Sequence, residues 1–384
     1  MSIALVVLID ILTNSITKDL LFDSKVYIGL AEHGFERSHI SPFVYRFAGP
    51  FLAGGIHQFA GLSMYKSFKA LTYVGAMTQL MGVFLLVRSL AKSEKSAYVG
   101  MLTVAVSLYN IKYPLFDVYR PDILTYPILL ACTWLALNDH FFLLLLTTMV
   151  GLQFREFAIV PLLAYLAVKL QREVNKESIR NVLISIIGLW IAVGIPRLLI
   201  PVSQHDEAVQ LSFAGMGQAI HLILNWHRDL NIIYIVLAYF LPFLILYSRH
   251  QLKIALSEIS SENARYLACY SLLVLLLLVV GGTDLERFAT YFFLPLAILA
   301  GLLAKNQPFM KILLLLTIQI IFNRIWLPFP IWDLGLMINF YGGWSDVINM
   351  ASLWRFVELA ALIILGRFFI HFQFVSKQNV LSSG

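Results

Sequence analysis

Long apolar stretches separated by short charged ones set the pattern of this chain. A helix needs about 20 apolar residues to cross the hydrocarbon core of a bilayer, and roughly twelve stretches reach or approach that length. They span 3–16, 70–90, 98–115, 123–137, 141–153, 157–170, 181–202, 231–247, 266–281, 288–304, 312–327 and 351–370. The pattern predicts an all-α, polytopic integral membrane protein with about 12 transmembrane helices.

Composition agrees with a membrane setting. Hydrophobic residues make up 59% of the 384 and charged residues 13%, against about 25% charged in a typical soluble domain. The net charge of +6 does not indicate a nucleic-acid partner, because the basic residues lie in short loops where they normally set membrane orientation. Cys132 and Cys269 fall inside apolar stretches and are interpreted as small buried hydrophobic residues.

Basic loops indicate the orientation, since Lys and Arg near span ends are retained on the cytoplasmic side. When each stretch is counted once, the short basic loops 172–180, 249–265 and 305–311 fall on one side. We expect that side to be the cytoplasm, and the membrane to be the bacterial inner (plasma) membrane. The extracytoplasmic side then receives 22–59, 117–122, 155–156, 203–229, 283–287 and 328–349.

A charged dipeptide, Arg155 and Glu156, interrupts the stretch 141–170. One long helix would bury both charges near the bilayer centre and would put the next basic loop on the wrong side. Two short helices, or a re-entrant pair, with the dipeptide at the outer turn avoid both problems. We predict this break within a single transmembrane domain over 1–374, which is followed by a disordered tail over 375–384.

The first outer loop, 22–59, has aromatic residues threaded through a series of charged ones. This pattern is typical of amphipathic helices that lie along a membrane surface. Asp23 is a candidate catalytic base toward a sugar hydroxyl, and the alternative is that it caps the helix that starts here. Arg46 is a candidate phosphate ligand through its planar fork, and the alternative is an interfacial arginine that reaches the headgroups.

Further acidic and basic clusters fall on the same outer side. Ionisable groups at membrane depth are costly and mark functional sites by default. The alternative is mutual salt bridging that only lets short loops dip into the interface. The candidates for substrate binding are Tyr27, Arg46, Arg120, Asp122, Arg155, Glu156, Asp284, Glu286 and Arg287.

The sequence also bears on cofactors. It contains no Walker loop, no dinucleotide fingerprint after a strand and no GxSxG elbow, so soluble-nucleotide chemistry is not expected. His33, His39 and His57 form no recognisable metal pattern and are interpreted as interfacial hydrogen-bonding residues. No cofactor is assigned, and a divalent metal stays open as an alternative.

The order of these elements resembles that of the GT-C type polyprenyl-phosphate-sugar glycosyltransferases. The residues that carry the resemblance are Asp23 ahead of Tyr27, YRFAGP around Arg46, RPD at 120–122, RE at 155–156 and ERFATYFFLP at 286–295. It covers residues 1–300 as an order of elements. Two departures are a single Asp in the first loop, which leaves metal dependence open, and no large soluble domain after the spans, which implies a minimal enzyme.

The resemblance implies a membrane enzyme that moves a sugar from a lipid-phosphate donor to a glycan, lipid or protein acceptor on the extracytoplasmic face. The reaction would be inverting, with Asp23 as the base. The alternatives are a lipid-linked saccharide transporter or flippase and a surface-polysaccharide polymerase. Transporters often have inverted repeats with helices broken at the midplane, and this sequence shows no such repeat.

Overall fold

The computed structural model describes most of the chain. The described residues are 1–13, 22–36, 40–41, 43–120, 122–200, 202, 204–205, 232–233, 236, 240, 247–280, 288–327, 354 and 356–369. They are helical apart from loops and one short parallel strand pair, in which β1 (Ile40–Ser41) lies beside β2 (Gln204–His205). The all-α class is confirmed, while the predicted tail at 375–384 lies outside the described residues.

Most of the helices coincide with apolar stretches, and others form in the predicted loops. They are α1 (Ser2–Thr13), α2 (Phe22–His33), α3 (Ala48–Ala60), α4 (Met64–Ala91), α5 (Glu94–Ala105), α6 (Tyr113–Phe116), α7 (Asp122–Leu137), α8 (Phe141–Gly151), α9 (Val160–Arg172), α10 (Lys176–Leu189), α11 (Ile195–Leu199), α12 (Arg249–Ser257), α13 (Ser261–Val280), α14 (Phe293–Ala304) and α15 (Phe309–Asn323). Residues 356–369 form a further helix.

Two helical segments in the described part are long and apolar enough to cross a membrane. One is α4, and the other is Lys176–Leu199, in which a π-helical turn joins α10 to α11. Shorter apolar helices accompany them, including α1, α7, α8 and α15. The length and composition of these helices agree with membrane association.

The stretch 98–115 is not the single span that its hydrophobicity predicts. Helix α5 ends at Ala105, and a π-helical turn (Leu108–Lys112) and the short α6 follow. The reason is that polar groups in this stretch bond to other segments: Lys112 Nζ donates to the carbonyls of Ile325 and Leu327. A straight helix would not direct these groups to their partners.

Helix α4 is central to the larger hydrophobic core and packs against α5, α7 and α14. Ser63 caps its first turn by accepting from Lys66 N. Glycines let the neighbouring helices approach: a Cβ atom added at Gly75 would lie 2.9 Å from the carbonyl oxygen of Ile123, and one at Gly100 would lie 2.8 Å from that of Ala297. Close packing fixes the ends of these helices relative to one another.

The predicted break in 141–170 is confirmed. Helix α8 ends at Gly151, a 3₁₀ turn covers Glu156–Ile159, and α9 begins at Val160. The chain reverses tightly here, since a Cβ atom at Gly151 would lie 2.6 Å from Ala158 Cβ. Arg155 and Glu156 therefore lie at the turn and not inside an α-helix.

A second, ionic cluster lies at the other end of α9, about 20 Å away for a helix of this length. Tyr165 OH donates to Asp139 Oδ1 at 2.6 Å, and Lys169 Nζ lies 3.0 Å from the same oxygen and 3.1 Å from Glu262 Oε1. These residues join the α7–α8 loop, α9 and the start of α13. The Arg155–Glu156 turn and this cluster thus lie at opposite ends of α9.

Candidate site at the outer turn

Residues 22–59, the predicted first outer loop, contribute to a small hydrophobic core of their own. Helices α2 and α3 pack together, and Tyr27, Phe43, Val44 and Phe68 belong to a hydrophobic cluster separate from the main one. Helices in this loop are confirmed. They position two of the predicted residues, Tyr27 within α2 and Arg46 just before α3.

Arg46 joins the first loop to the turn between α8 and α9. Its Nε donates to both carboxylate oxygens of Glu156 at 3.1 Å, and its Nη1 donates to Tyr27 OH at 3.3 Å. The guanidinium also lies over the ring of Phe43 at 5.6 Å.

The Arg46–Glu156 pair is an ion pair in which each group stabilises the charged form of the other. Burial disfavours the charged form of Arg46, but the carboxylate of Glu156 and then Tyr27 outweigh it and raise the pKa of Arg46 above its ordinary value. Burial also disfavours the charged form of Glu156, but attraction to Arg46 and then Arg155 lowers the pKa of this carboxyl below its ordinary value. Both groups are therefore ionised at neutral pH.

Arg155 forms a second pair with Asp122, the first residue of α7. Its Nη1 lies 2.5 Å from Asp122 Oδ1, and Arg155 is only 3% exposed. The guanidinium also lies over the ring of Phe157 at 5.7 Å. Its Nε has no hydrogen-bond partner within the described part of the chain. A buried guanidinium with spare donors is suited to an oxyanion ligand.

Arg120 forms the third pair, with Asp117. Arg120 Nε donates to Asp117 Oδ2, and both side chains are buried. The other carboxylate oxygen of Asp117 accepts from Ser24 Oγ at 3.1 Å. This contact brings the start of α2 against the segment between α6 and α7.

The three pairs form one closed circuit, which we call the arginine ring. Between pairs, the circuit follows the chain from Arg120 to Asp122, from Arg155 to Glu156, and from Ser24 to Tyr27 along one turn of α2. Its members are Ser24, Tyr27, Arg46, Glu156, Arg155, Asp122, Arg120 and Asp117. Five of the predicted substrate-binding positions besides Tyr27 thus lie together: Arg46, Arg120, Asp122, Arg155 and Glu156.

Asp23 is the second residue of α2. Its side chain lies outside the described residues. The next residue, Ser24, is a member of the ring, so the backbone of Asp23 runs beside it. An acidic residue in the first turn of a helix also interacts favourably with the helix dipole. Stabilisation of α2 therefore remains the structural alternative to the catalytic role of Asp23.

Asp284, Glu286 and Arg287 lie outside the described residues. The chain re-enters the described part at Phe288, whose ring lies 5.0 Å from that of Phe157. Tyr291 stacks on Phe157 at 4.3 Å. The segment that follows Arg287 therefore packs directly against the segment that follows Arg155.

Several residues of this region were missed from the sequence. Ser24 joins the ring, and nothing in its sequence context marks it. Asn110 Nδ2 donates to the carbonyl of Thr290 at 3.3 Å, and the Thr290 hydroxyl lies 2.9 Å from Tyr126 OH. Lys112 is fully buried, and a lysine inside an apolar stretch is a signal that could have drawn attention to it.

Among the described residues, no group of three His, Cys, Asp or Glu side chains lies close enough together to hold a metal ion. His33 lies 3.8 Å from Glu32, His57 Nδ1 lies 2.5 Å from the carbonyl oxygen of Leu62, and His39 lies outside the described residues. Comparison with family models, with curated proteins and with solved structures finds no match for this chain.

Proposed function

We propose that this protein is an integral membrane glycosyltransferase that moves a sugar from a polyprenyl-phosphate donor to an acceptor on the extracytoplasmic face. The observation that carries the proposal is the arginine ring, which collects three buried or half-buried guanidinium groups beneath the first outer loop. A lipid phosphate is an anion that guanidinium groups bind well. The ring also begins one residue after Asp23, the candidate base.

The proposed reaction is an inverting displacement. Asp23 takes the proton of the acceptor hydroxyl, whose oxygen attacks the anomeric carbon of the donor sugar. The bond between that carbon and the phosphate oxygen breaks, and the lipid phosphate leaves with the electron pair. Arg46 and Arg155 stabilise the negative charge that develops on the phosphate, while Glu156 and Asp122 hold the two guanidinium groups in place.

The membrane setting is part of the proposal. We place about twelve spans in a bacterial inner (plasma) membrane, with the arginine ring on the extracytoplasmic side and the Asp139–Lys169–Glu262 cluster on the cytoplasmic side. Two long apolar helices and several shorter ones support a membrane location. Placing the ring at the outer surface gives a lipid-linked donor sideways access from the bilayer.

A transfer assay tests this function. Purified protein in liposomes is given polyprenyl-phosphate donors with labelled sugars, and transfer to glycan, lipid and peptide acceptors is measured with and without a chelator. Asp23→Asn should reduce transfer by about 10²- to 10⁴-fold, the usual contribution of a positioned acid or base, and Lys25→Gln on the same helix is the matched control. Undiminished transfer by Asp23→Asn would favour a purely structural role for Asp23 in the first turn of α2. Movement of intact donor across the bilayer, without transfer, would instead indicate a flippase.

A further inference from the structure

A groove separates the second half of α2 from the exposed side of α3, away from the arginine ring. Its volume is about 430 Å³, which is within the size range of small-ligand pockets. The helices approach closely beneath it, since a Cβ atom at Gly54 would clash with the carbonyl oxygen of Ala31. Gly55 lines the open part, and a Cβ atom there would meet nothing within 4 Å. The small residues leave room for a ring-shaped ligand.

The polar lining selects for hydroxyl groups. Glu32, Glu36, His33 and Gln58 face the groove, and neither Lys nor Arg is among the described residues that line it. Carboxylate and amide oxygens accept hydrogen bonds from hydroxyl groups, and the amide and imidazole also donate. The two carboxylates in the described lining repel an anionic ligand. The lining therefore suits a neutral, hydroxyl-rich molecule.

One wall of the groove is aromatic. Phe51 is 38% exposed, and its ring is held by Phe35 at 4.9 Å and by Phe47 at 5.4 Å. A fixed, partly exposed ring provides an apolar face. Sugars combine an apolar ring face with hydroxyl groups around its edge. The groove presents both complementary features.

We infer that this groove binds a neutral saccharide and is the acceptor subsite of the proposed glycosyltransferase. The inference deepens the proposed function and rests on it. Helix α2 connects the two places: Tyr27 lies in the ring and His33 lines the groove, about 9 Å apart along the helix axis. An acceptor glycan lying along α2 would reach from the groove to the reacting centre at Asp23.

A direct binding measurement tests the groove independently of any transfer reaction. Full-length protein in detergent is titrated with cellotriose, maltotriose and mannotriose as neutral probes and with trigalacturonate as the anionic probe. At least one neutral trisaccharide should bind, and trigalacturonate should bind at least about tenfold more weakly. Gly55→Leu fills the groove and should weaken binding by about tenfold or more. The matched control is Gly29→Leu on α2, which also has open space at its Cβ atom and should change binding by less than about twofold.

Transfer assays then distinguish the proposed acceptor subsite from the proposed transferase activity. Gly55→Leu should raise the acceptor KM while leaving the donor KM unchanged, with either a free or a lipid-linked neutral glycan as acceptor. If the wild-type protein is an active transferase and Gly55→Leu leaves its kinetics unchanged, the groove is not the acceptor subsite, and the proposed transferase stands. If the wild-type protein binds a saccharide but has no transfer activity, and Gly55→Leu removes that binding, the proposed transferase is overturned. The groove then remains a saccharide-binding site. Failure of all neutral trisaccharides to bind, or equal binding of trigalacturonate, overturns the inference.

Discussion

Arg46 and Glu156 are 110 residues apart in the sequence, yet Arg46 Nε lies 3.1 Å from both carboxylate oxygens of Glu156. The pair ties the first outer loop to the turn between α8 and α9. A backbone contact reinforces it, since Ala48 N donates to the carbonyl of Gln153 at 3.2 Å. The break in the stretch 141–170 is thus held in place by the loop that carries Asp23.

The first prediction concerns the coupling of this pair. Arg46→Lys keeps the charge but loses the planar fork, and Glu156→Gln removes the charge. We expect a double-mutant cycle on the free energy of unfolding to give a coupling of about 0.5 to 3 kcal/mol, because the residues touch. Denaturant unfolding in detergent measures it. Arg180→Lys with Glu177→Gln, an exposed pair, is the control and should couple by less than about 1 kcal/mol. Additive losses at Arg46 and Glu156 would contradict the contact.

The second prediction is a pH dependence. The folded-state pKa of Glu156 is depressed, so its stabilisation is fully present above its unfolded-state pKa of about 4.3. This stabilisation is lost as the pH falls further through the folded-state pKa. We expect wild type to unfold at a higher temperature than Glu156→Gln at pH 7, and the difference to shrink as the pH falls below about 4. Glu173→Gln, at an exposed position, should show no such pH-dependent difference. A difference in unfolding temperature between wild type and Glu156→Gln that stays the same at low pH would argue against the ion pair.

The third prediction joins Arg155 with Arg287. Phe288 packs on Phe157, which supports a shared phosphate site for the two arginines. Arg155→Lys and Arg287→Lys should each weaken donor use more than acceptor use, because an ammonium group loses the bidentate fork. The double variant should lose less than the sum of the single losses, because both groups touch one phosphate. Kinetics with varied donor and acceptor concentrations measure this, and strictly additive losses would exclude a shared phosphate.

The fourth prediction concerns orientation. Residues 172–180 should be cytoplasmic and 22–59 extracytoplasmic, because basic loops are retained inside. In intact cells, an impermeant thiol reagent should label Phe59→Cys, whose native side chain is 93% exposed. Lys176→Cys should be labelled only after the membrane is made permeable. Labelling of Lys176→Cys in intact cells would reverse the topology.

The sequence by itself determined the helical class and where most of the helices lie. Apolar stretches of helix length are a local signal, and the bounds of α7 and α8 follow them within about two residues, while α4 begins six residues earlier than its stretch. The break at Arg155 and Glu156 was also predictable, because two charges cannot lie in the middle of a lipid-facing helix without a partner. The interruption of 98–115 was not, since Lys112 is accommodated by carbonyls at Ile325 and Leu327, which are distant in sequence.

Only the tertiary structure decided which charges meet. The sequence marked Arg46, Arg120 and Arg155 as candidate phosphate ligands with structural alternatives, because a charge near the membrane is costly and marks a site without showing its partner. Folding paired Arg46 with Glu156, Arg155 with Asp122 and Arg120 with Asp117, and it added Ser24. Those partners depend on how α2, α3, α7 and α9 pack, and packing is a long-range property that hydrophobic periodicity does not encode.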